Sequence, residues 1–412
     1  MSQDKLPPPH TLAPPQAAPE GAAPPVAGRA GHERPVRVVI AGGGTAGHIY
    51  PALAVAHALQ QPDTGTGSAG DTPGAELLYL HGPSRRDAEV MAHSGIEHRR
   101  LDVGPLLGTA PHRLLLNLLR LGWGMLQAAS SIRRFRAEAV MATGGYVSAP
   151  AILAGRLLGV PVVLYLPDAS PGLTIRLLAP FARRIALSFP ITKKHFKTSR
   201  AIVTGYPVRP EFLQADRERA RKAYDLREDF PVVMVMGGST GAQSLNLAVH
   251  DGLEPLLHHA QLVHLCGESD EQLLREARAR LDPELRQRYH LFRYLHRGVA
   301  DAMAATDLMV SRAGASTMAE LPILGLPAIL VPYPHAGAHQ EKNADFLVSE
   351  GAAIKLPDFQ LSQGALLPAV LSLLEDKEKL ETMAAEMRRL GRPEAAHNIA
   401  SLVRSVARRR QK

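Results

Sequence analysis

One local pattern occurs twice in this chain and constrains its fold more than any other feature: an apolar strand, a glycine-rich loop and a helix. The first copy joins the strand 36–41 (VRVVIA) to the loop 42–47 (GGGTAG), and the second joins the strand 232–236 (VVMVM) to the loop 237–242 (GGSTGA). Continuous branched apolar runs are typical of strands buried in parallel sheets. Two such units, one opening each half, predict an α/β protein with two Rossmann-like domains that face each other across a cleft.

Strand and helix patterns alternate along both halves, and 412 residues suffice for two domains with separate cores. We assign residues 35–200 to an N-terminal domain and residues 201–390 to a C-terminal domain. Residues 1–34 are mainly Pro, Ala and Gly, a composition that buries too little apolar surface to order the chain, so a disordered tail is expected there. Residues 391–412 are expected to form a basic helix that could pack back on the N-terminal domain.

The charge balance points to an acidic partner. The formal net charge is +8 and the isoelectric point is about 9.7, which suits phosphates, anionic lipid or nucleic acid. Aromatic residues are sparse and no nucleic-acid-binding motif occurs, so no nucleic acid partner is expected. Cys266 is the only cysteine, which excludes an intramolecular disulfide and favours a reducing compartment. The sequence has neither a signal-peptide pattern nor an apolar run of about 18 residues, so no spanning helix is expected.

The first glycine loop also fits the dinucleotide-binding pattern G-x-G-x-x-G. A dinucleotide site needs an acidic residue for the ribose after the next strand, but that strand, 74–82, ends in His81 and Gly82. The match is therefore weak, and we retain only its general meaning, a phosphate cradle at a helix N-terminus. His48 follows the loop directly and is suited to act as a general base near neutral pH, with a solvated or capping histidine as the ordinary alternative.

The stretch 310–343 is a further candidate for an anion site. A strand runs through a glycine-containing turn into a helix, and a polar segment, 335–343, follows the next strand. Two interpretations of the helix start are open: free backbone N–H groups that hold an anion, or a capping box formed by Thr317 and Glu320. Arg209 lies in a turn between the two halves, where it either reaches a phosphate or forms a surface salt bridge.

A long amphipathic helix is predicted near residues 111–134. Four large apolar side chains fall on one face of it at helical spacing: Leu115, Leu119, Trp123 and Leu126. Packing of this face against the domain core is the default interpretation. Basic residues surround the face, namely Arg113, Arg120, Arg133, Arg134 and Arg136. A helix that rests on anionic lipid is therefore the alternative.

The chain contains no Asp-x-Asp pair and no His/Cys ligand cluster, so neither a metal nor another cofactor is expected. If the substrate is a nucleotide-sugar, the departing nucleoside diphosphate gains negative charge in the transition state. Helix N-termini and backbone donors can stabilise that charge without a metal ion.

Several motifs in this order and spacing resemble the MurG-type N-acetylglucosaminyltransferases of glycosyltransferase family 28. The resemblance runs from about Val36 to Ala353 and rests on these segments: GGGTAGHIYPALAVA, GGYVSAP, PGLTIRLLAPFARRIALSFP, VTGYPVRPEF, GGSTGAQSLN, SRAGASTMAEL and HQEKNA. It implies a GT-B fold and inverting transfer of N-acetylglucosamine from UDP-N-acetylglucosamine to the 4-hydroxyl of undecaprenyl-diphosphate-linked N-acetylmuramyl-pentapeptide. It also implies a peripheral enzyme on the cytoplasmic face of the cell membrane, where it contacts an anionic surface and serves peptidoglycan synthesis.

The resemblance also implies roles for individual residues. His48 is the expected catalytic base, with Thr45, Gly47 and Tyr146 on the acceptor side. The residues expected to bind the UDP-sugar are Asp168, Arg209, Ser239, Leu295, Ala315, Ser316, Thr317, Glu320, His339 and Gln340. Within that set, Leu295 is expected against the uracil, Glu320 on the ribose, and His339 with Gln340 on the sugar.

The chain departs from the family pattern at a few positions. The segment 165–168 reads Tyr-Leu-Pro-Asp where the family has His-Glu-Gln-Asn, so apolar residues are expected to replace polar residues of the cleft. Ala46 replaces a glycine, and Tyr206 and Thr240 replace Asn and Gln. These changes leave two alternative functions open: a paralogue that transfers a sugar to another lipid acceptor, and a non-catalytic regulator that only binds the UDP-sugar.

Overall fold

The computed structural model describes residues 34–44, 46–62, 73–104, 111–196, 198–238, 241–295, 298–334 and 339–411. Thr45 and Ser239, two of the expected site residues, lie outside these ranges, as does Thr240. The expected N-terminal tail lies outside them too, apart from Arg34.

The first half of the chain forms a parallel sheet of seven strands with helices on both faces. In chain order its elements are β1 Arg37–Ala41, α1 Ala46–Gln60, β2 Glu76–His81, α2 Arg85–Ala92, β3 Glu97–Arg100, α3 Pro111–Phe135, β4 Ala139–Ala142, α4 Ser148–Leu157, β5 Val162–Leu166, α5 Leu173–Leu178, β6 Arg184–Leu187 and β7 Ala201–Val203, with 3₁₀ turns at Ala179–Phe181 and Pro190–His195. The strand order is β3-β2-β1-β4-β5-β6-β7. β7 continues this sheet past residue 200, where the sequence-based division placed the domain boundary.

The second half forms a parallel sheet of six strands. Its elements are α6 Pro210–Leu213, α7 Arg217–Ala223, β8 Val232–Met236, α8 Gln243–Asp251, α9 Leu253–His259, β9 Gln261–Leu265, α10 Glu271–Arg280, α11 Pro283–Gln287, β10 Tyr289–Phe292, α12 Val299–Ala304, β11 Leu308–Ser311, α13 Thr317–Leu324, β12 Ala328–Leu330, α14 His339–Ser349, β13 Ala353–Lys355, α15 Asp358–Leu361, α16 Leu366–Glu375, α17 Lys377–Leu390 and α18 Ala395–Gln411. The strand order is β10-β9-β8-β11-β12-β13.

Both sheets reverse their strand order beside the strand that precedes a glycine loop. β1 lies between β2 and β4, and β8 lies between β9 and β11, with every pairing parallel. In an open parallel sheet, this reversal opens a crevice at the carboxyl ends of the strands. The expected α/β fold with two Rossmann-like halves is confirmed, and both glycine loops lie at such crevices.

The last helix returns to the first half of the molecule. α18 packs against α1, and the guanidinium of Arg404 donates hydrogen bonds to the carbonyl oxygens of Leu59 (2.9 Å) and Gln61 (2.6 Å). Asn398, also on α18, donates to the carbonyl of Thr204 at 3.3 Å. The chain therefore crosses between the two halves a second time near its end.

The default interpretation of the amphipathic helix was wrong. In α3 the side chains of Leu119, Trp123 and Leu126 are exposed by 66%, 57% and 59%, and they point away from the core. A different face packs against the domain: Ala128 and Ile132 are buried there, and Leu121 and Met125 pack partly buried against the same core. A Cβ on Gly124 would lie only 2.4 Å from a methyl group of Val103, so the helix approaches the domain closely at this point. The side chain of Leu115 lies outside the described part.

Candidate active site between the two sheets

A cavity of about 750 Å³ lies where the carboxyl ends of the second sheet meet the first half of the chain. It is lined by loops and helix starts of the second sheet, by Arg209 from the connection, and by Tyr50 from α1. Its lining includes Arg209, Leu295, Ser316, Thr317, Glu320 and Gln340, six of the residues expected to bind the UDP-sugar. Ala315 is half-buried and lies in the same turn as Ser316.

The second glycine loop is shaped by close backbone contacts. A Cβ on Gly237 would lie 2.4 Å from the Ala242 nitrogen, and Gly241 has a φ of 81° and passes so close to the Cys266 carbonyl that a Cβ would lie 2.5 Å from its oxygen. Only glycine fits at these positions. The loop leads into α8, whose N-cap residue Ala242 has no side chain able to cap it. The first N–H groups of α8 are therefore directed at the cavity without a capping side chain from Ala242.

A buried polar network supports α8 from behind. The Asn246 side chain donates to the carbonyl of Cys266 (2.8 Å) and to the Asp270 carboxylate (2.6 Å), and its oxygen bonds the His264 ring at 3.0 Å. Burial lowers the pKa of His264 to about 3, so its ring stays neutral and can accept from one neighbour and donate to another. Burial also raises the pKa of the Cys266 thiol to about 11, which leaves this cysteine unreactive at neutral pH.

The capping-box interpretation of α13 was wrong. The N-cap position belongs to Ser316, and among the described residues no side chain caps this helix start. Glu320 instead points to Arg209, whose guanidinium lies 3.5 Å from its carboxylate. Burial raises the pKa of Glu320 to about 7, and the nearby Arg209 charge opposes that rise. The site thus holds a buried acceptor group beside a second open helix N-terminus.

Arg209 joins both sides of the cleft. Its guanidinium forms ion pairs with Glu211 at 2.8 Å and with Glu320, and it lies over the rings of Tyr50 (5.2 Å) and Phe212 (5.0 Å). The Arg209 side chain is only 23% exposed and its partner Glu320 only 9%, so the pair is not the surface salt bridge that the sequence left open. This placement holds a cation at the cavity wall, next to the two helix starts.

Arg312 fixes the floor of the cavity. Its guanidinium donates to the Asp358 carboxylate (2.5 Å), to the Ser244 hydroxyl (2.8 Å) and to the carbonyl of Val331 (3.2 Å). It therefore ties the end of β11 to the starts of α8 and α15. The sequence gives no local sign of this role, because the partners Asp358 and Ser244 lie 46 and 68 residues away in the chain.

His48 and Tyr146 lie at the first glycine loop, where a Cβ on Gly44 would be 3.5 Å from the Tyr146 ring. Gly144 and Gly145 follow β4 with φ values of 97° and 74°, and a Cβ on Gly144 would lie 3.0 Å from the His48 ring nitrogen Nε2. The hydroxyl of Thr143 donates to the carbonyl of His48 at 2.9 Å. Burial lowers the pKa of His48, and the negative charges of Asp168 and Asp87 oppose that shift. The imidazole is therefore neutral at pH 7, the form that can accept a proton.

Asp87 is a residue that sequence reasoning missed. It lies in the first turn of α2, is 2% exposed, and accepts a hydrogen bond from the Gly44 backbone N–H at 2.8 Å. Its charge and the burial of the ring both raise the pKa of Tyr146. One donor of the first glycine loop is thus occupied by an internal carboxylate. The sequence does hold an acidic residue shortly after β2. It was not considered because an acidic ligand for a ribose was expected directly at the end of that strand.

The segment after β5 faces the second half of the chain. Asp168 is half-buried and accepts a hydrogen bond from the Asn343 amide at 3.3 Å. A Cβ on Gly172 would lie 3.7 Å from the His339 ring, and Gln340 accepts a hydrogen bond from the Tyr333 backbone N–H at 2.9 Å. At the start of α14, His339 thus lies beside the first half of the chain, whereas Gln340 lines the cavity and bonds within the second half.

Apolar residues of the segment 165–168 were expected to replace polar residues of the cleft, but Tyr165 and Leu166 do not line the cleft. Tyr165 and Leu166 are 0% and 2% exposed because they belong to β5, inside the sheet. The Tyr165 hydroxyl bonds Ser188 at 2.7 Å, and its ring packs edge-on against Tyr206 with ring centroids 6.2 Å apart. Two departures from the family pattern, at 165 and 206, thus contact each other in the core, and Asp168 is the member of the segment that reaches the cleft.

Within the described ranges, no group of three or more His, Cys, Asp or Glu side chains is arranged to hold a metal ion. Among the described helices, none has both the length and the apolar character needed to cross a bilayer.

Two Rossmann-like halves with a nucleotide-sized cavity at their facing strand ends have the architecture of the GT-B class of glycosyltransferases. Residues 38–187 match the glycosyltransferase family 28 N-terminal domain, and residues 232–399 match the glycosyltransferase family 28 C-terminal domain. The chain belongs to glycosyltransferase family 28, and the resemblance drawn from its motifs is confirmed.

Individual relatives match about nine tenths of the chain. The chain is 38% identical to the UDP-N-acetylglucosamine–N-acetylmuramyl-(pentapeptide) pyrophosphoryl-undecaprenol N-acetylglucosamine transferase of Roseiflexus sp. (strain RS-1), over 92% of this chain and 96% of that protein. It is 39% identical to the protein of the same name from Moorella thermoacetica, over 89% and 98%. The crystal structure of Acinetobacter baumannii MurG aligns with a TM-score of 0.72 at 27% identity, over 90% of this chain and 100% of that one.

Proposed function

We propose that the chain transfers N-acetylglucosamine from UDP-N-acetylglucosamine to the 4-hydroxyl of undecaprenyl-diphosphate-linked N-acetylmuramyl-pentapeptide, with inversion at the anomeric carbon. The observation that carries the proposal is the convergence of two helix N-termini, those of α8 and α13, with Arg209 and the buried Glu320 on one cavity. This set suits a uridine diphosphate: dipoles and a cation for the diphosphate, and a carboxylate for the ribose. The activity named for the relatives from Roseiflexus and Moorella supplies the substrates.

The donor is assigned to the second half. Leu295, 7% exposed at the cavity wall, offers an apolar surface to the uracil, and the carboxylate of Glu320 accepts from the ribose hydroxyls. Ser239, Ala315, Ser316 and Thr317 surround the diphosphate, and His339, Gln340 and Asp168 bind the sugar. The negative charge that grows on the diphosphate as it departs is stabilised by the aligned N–H groups of α8 and α13 and by Arg209.

The acceptor is assigned to the first half, beside Thr45, Gly47 and Tyr146. His48 removes the proton from the muramyl 4-hydroxyl while that oxygen attacks the anomeric carbon. The new bond joins the oxygen to the sugar carbon, the bond to the diphosphate oxygen breaks, and UDP leaves with the electron pair. His48 suits this step because it is neutral at pH 7 and packs against Gly144 at the mouth of the first loop.

The membrane contact is assigned to the exposed face of α3. Leu118, Leu119, Trp123 and Leu126 are each about half exposed or more, and Arg120, Arg133 and Arg134 are exposed beside them. An apolar stripe with basic neighbours is the pattern of a helix that lies in the interface of an anionic bilayer. We therefore place the enzyme as a peripheral protein on the cytoplasmic face of the membrane, where its lipid-linked acceptor resides.

The test is release of UDP from UDP-N-acetylglucosamine by purified protein with the muramyl lipid, with product linkage read by mass spectrometry and NMR. A β1,4-linked disaccharide lipid supports the proposal. Turnover with a different lipid acceptor alone would identify a paralogue. Donor binding without turnover on any acceptor of a panel would identify a binding protein.

His48 provides the sharper test of mechanism. We expect His48→Ala to lower kcat by about 10²- to 10⁴-fold, the range of a general base, while the affinity for UDP-N-acetylglucosamine stays within about twofold. His57, an exposed histidine in the last turn of the same helix α1, is a matched control and should retain activity as His57→Ala. Unchanged turnover in His48→Ala would remove it as the base.

A further inference from the structure

Asn343 connects the two halves of the molecule through a single buried side chain. It lies on α14, in the second half, and is 1% exposed. Its oxygen accepts a hydrogen bond from the backbone N–H of Ala169 (3.1 Å), and its amide donates to the carbonyl of Ala313 (3.0 Å) and to the Asp168 carboxylate (3.3 Å). Every polar atom of this carboxamide is used, and the partners come from both sides of the cleft.

Neighbouring contacts strengthen the same junction. The ammonium of Lys342 donates to the Ser170 hydroxyl at 3.2 Å, and the rings of Phe189 and Phe346 pack with centroids 5.2 Å apart. The first half of α14 thus contacts residues 168–170 through hydrogen bonds, and Phe346 further along the helix adds an apolar contact with Phe189. Lys342 is exposed although its partner Ser170 is buried, so Asn343 is the residue of α14 that makes a fully buried polar contact at this junction.

Asp168 is the member of this junction that faces the acceptor side. Its charge acts on the His48 imidazole of α1, together with the charge of Asp87 from α2. The phenol groups of Tyr165 and Tyr206 also feel the Asp168 charge from within the core. A carboxylate at this position can stabilise the imidazolium that forms when His48 takes a proton, provided that the carboxylate is held on the correct side of the cleft.

We propose that Asn343 is a positioning residue that couples closure of the cleft to the acceptor side: it holds Asp168 within electrostatic reach of His48 when the two halves are together. Opening the cleft breaks the bonds to Ala169 and Asp168 and releases that carboxylate. The expected effect on kcat rests on the proposed function. The hydrogen bonds of Asn343 between the two halves do not depend on which acceptor the enzyme uses.

The test exchanges the two partners. Asn343→Ala removes the bridge, and Asn343→Asp places a second carboxylate against Asp168, where the like charges repel. The double variant Asp168→Asn with Asn343→Asp restores an amide opposite a carboxylate and keeps an acceptor for the Ala169 N–H. Asp168→Ala removes the same contact from its half-buried side and serves if the buried Asn343→Ala variant fails to fold. Asn398→Ala is the matched control, since it also loses a bond between distant segments but its recorded partner is Thr204, not Asp168 or Ala169.

Two readouts are measured with UDP-N-acetylglucosamine present. The first is the distance between spin labels at Leu157→Cys on α4 and Ala279→Cys on α10, both exposed positions, against the buried and unreactive Cys266. The second is the division of the effect between kcat and the KM for UDP-N-acetylglucosamine. We expect Asn343→Ala to lengthen and broaden the distance and to lower kcat by about tenfold or more, with KM changed less than about threefold. Asp168→Ala should lengthen the distance in the same way and lower kcat, and its KM should rise as well because Asp168 is also assigned to the donor sugar.

Asn343→Asp should be at least as impaired as Asn343→Ala. The exchanged double variant should return to the wild-type label distance, while its kcat stays low because the carboxylate then lies at position 343 and no longer at 168. A label distance in the double variant as long as that of Asn343→Asp, a wild-type kcat in the double variant, or wild-type distance and kcat in Asn343→Ala would overturn the proposal. If the wild-type protein turns over no muramyl lipid, the proposed function fails, while the label distances still decide whether Asn343 holds the cleft closed.

Discussion

Glu320 shows how one buried carboxyl group can serve as a recognition element. Its side chain is 9% exposed, and loss of hydration raises its pKa to about 7 although Arg209 lies 3.5 Å away. The folded protein therefore holds an extra proton between the ordinary pKa of 4.5 and about 7. Because the folded-state pKa is the higher one, the contribution of Glu320 to stability declines as the pH rises through that window.

The same titration should appear in donor binding. A carboxylate accepts from two ribose hydroxyls only when it is ionised, so we expect the Kd for UDP-N-acetylglucosamine to fall about tenfold between about pH 6 and pH 8, as a group with a pKa near 7 ionises. Calorimetry can measure this slope, because the doubly esterified diphosphate of the donor does not titrate in this range. Glu320→Gln should bind more weakly and lose the slope; a slope that persists in the variant would assign the titration elsewhere.

At the same scale, the limits of sequence reasoning are visible in Tyr165 and Tyr206. The motif alignment identified both as departures from the family pattern, but position in a motif does not state which way a side chain points. The alternation of β5 turns Tyr165 into the core, where its ring meets Tyr206 at 6.2 Å. Asp87 escaped notice for the converse reason: its partner, the Gly44 N–H, lies 43 residues away and on another element.

Among the elements, the two strand-loop-helix units were predictable because their signals are local. Branched apolar residues specify β1 and β8, and the glycines that follow permit the close approaches that the loops require. The start of α13 was not resolved by the same reasoning, since Thr317 and Glu320 satisfy the spacing of a capping box without forming one. Glu320 pairs with Arg209 instead, and residue spacing within one helix cannot predict a contact with a residue so distant in the chain.

The outward face of α3 carries a prediction at this scale. Replacing Leu119, Trp123 and Leu126 by Gln removes three exposed apolar side chains without opening the core. We expect binding to phosphatidylglycerol vesicles to weaken by on the order of tenfold or more, because each side chain loses the free energy of burial in the bilayer interface. Co-sedimentation measures binding, and turnover of a short-chain, water-soluble acceptor should stay within about twofold of wild type because the cleft is unchanged.

The control for α3 is Leu273→Gln on α10, an exposed leucine on the other half of the molecule. It should leave vesicle binding unchanged. Wild-type vesicle affinity in the triple variant would show that another surface carries the membrane contact.

For the whole molecule, the two sheets are joined through their interface as well as through the chain. A single apolar cluster extends from Val38 in β1 through Tyr165 and Phe189 to Phe346 and Met318 in the second half. Around it lie the Asn343 bridge, the stacking of Arg209 on Tyr50, and the return of α18 to α1. The sequence predicted two facing halves from their repeated units, whereas these joints arise from pairs separated by more than 150 residues and have no local signature.

The joint made by α18 yields the last prediction. Arg404 is 5% exposed and donates to the carbonyls of Leu59 and Gln61 at the end of α1, so Arg404→Ala leaves these acceptors without their guanidinium partner. We expect the variant to lose about 2–4 kcal/mol of stability and to unfold on the order of 5 °C lower. Ser405→Ala, the adjacent and exposed position on the same helix, bonds only within α18 and should stay within about 0.5 kcal/mol. Because α18 connects the second half to the first, Arg404→Ala should also weaken the coupling between the halves. Calorimetry of the variant should therefore show two unfolding transitions that are further apart than in the wild-type protein. An unfolding curve identical to that of Ser405→Ala would mean that the apolar packing of α18 alone holds the joint.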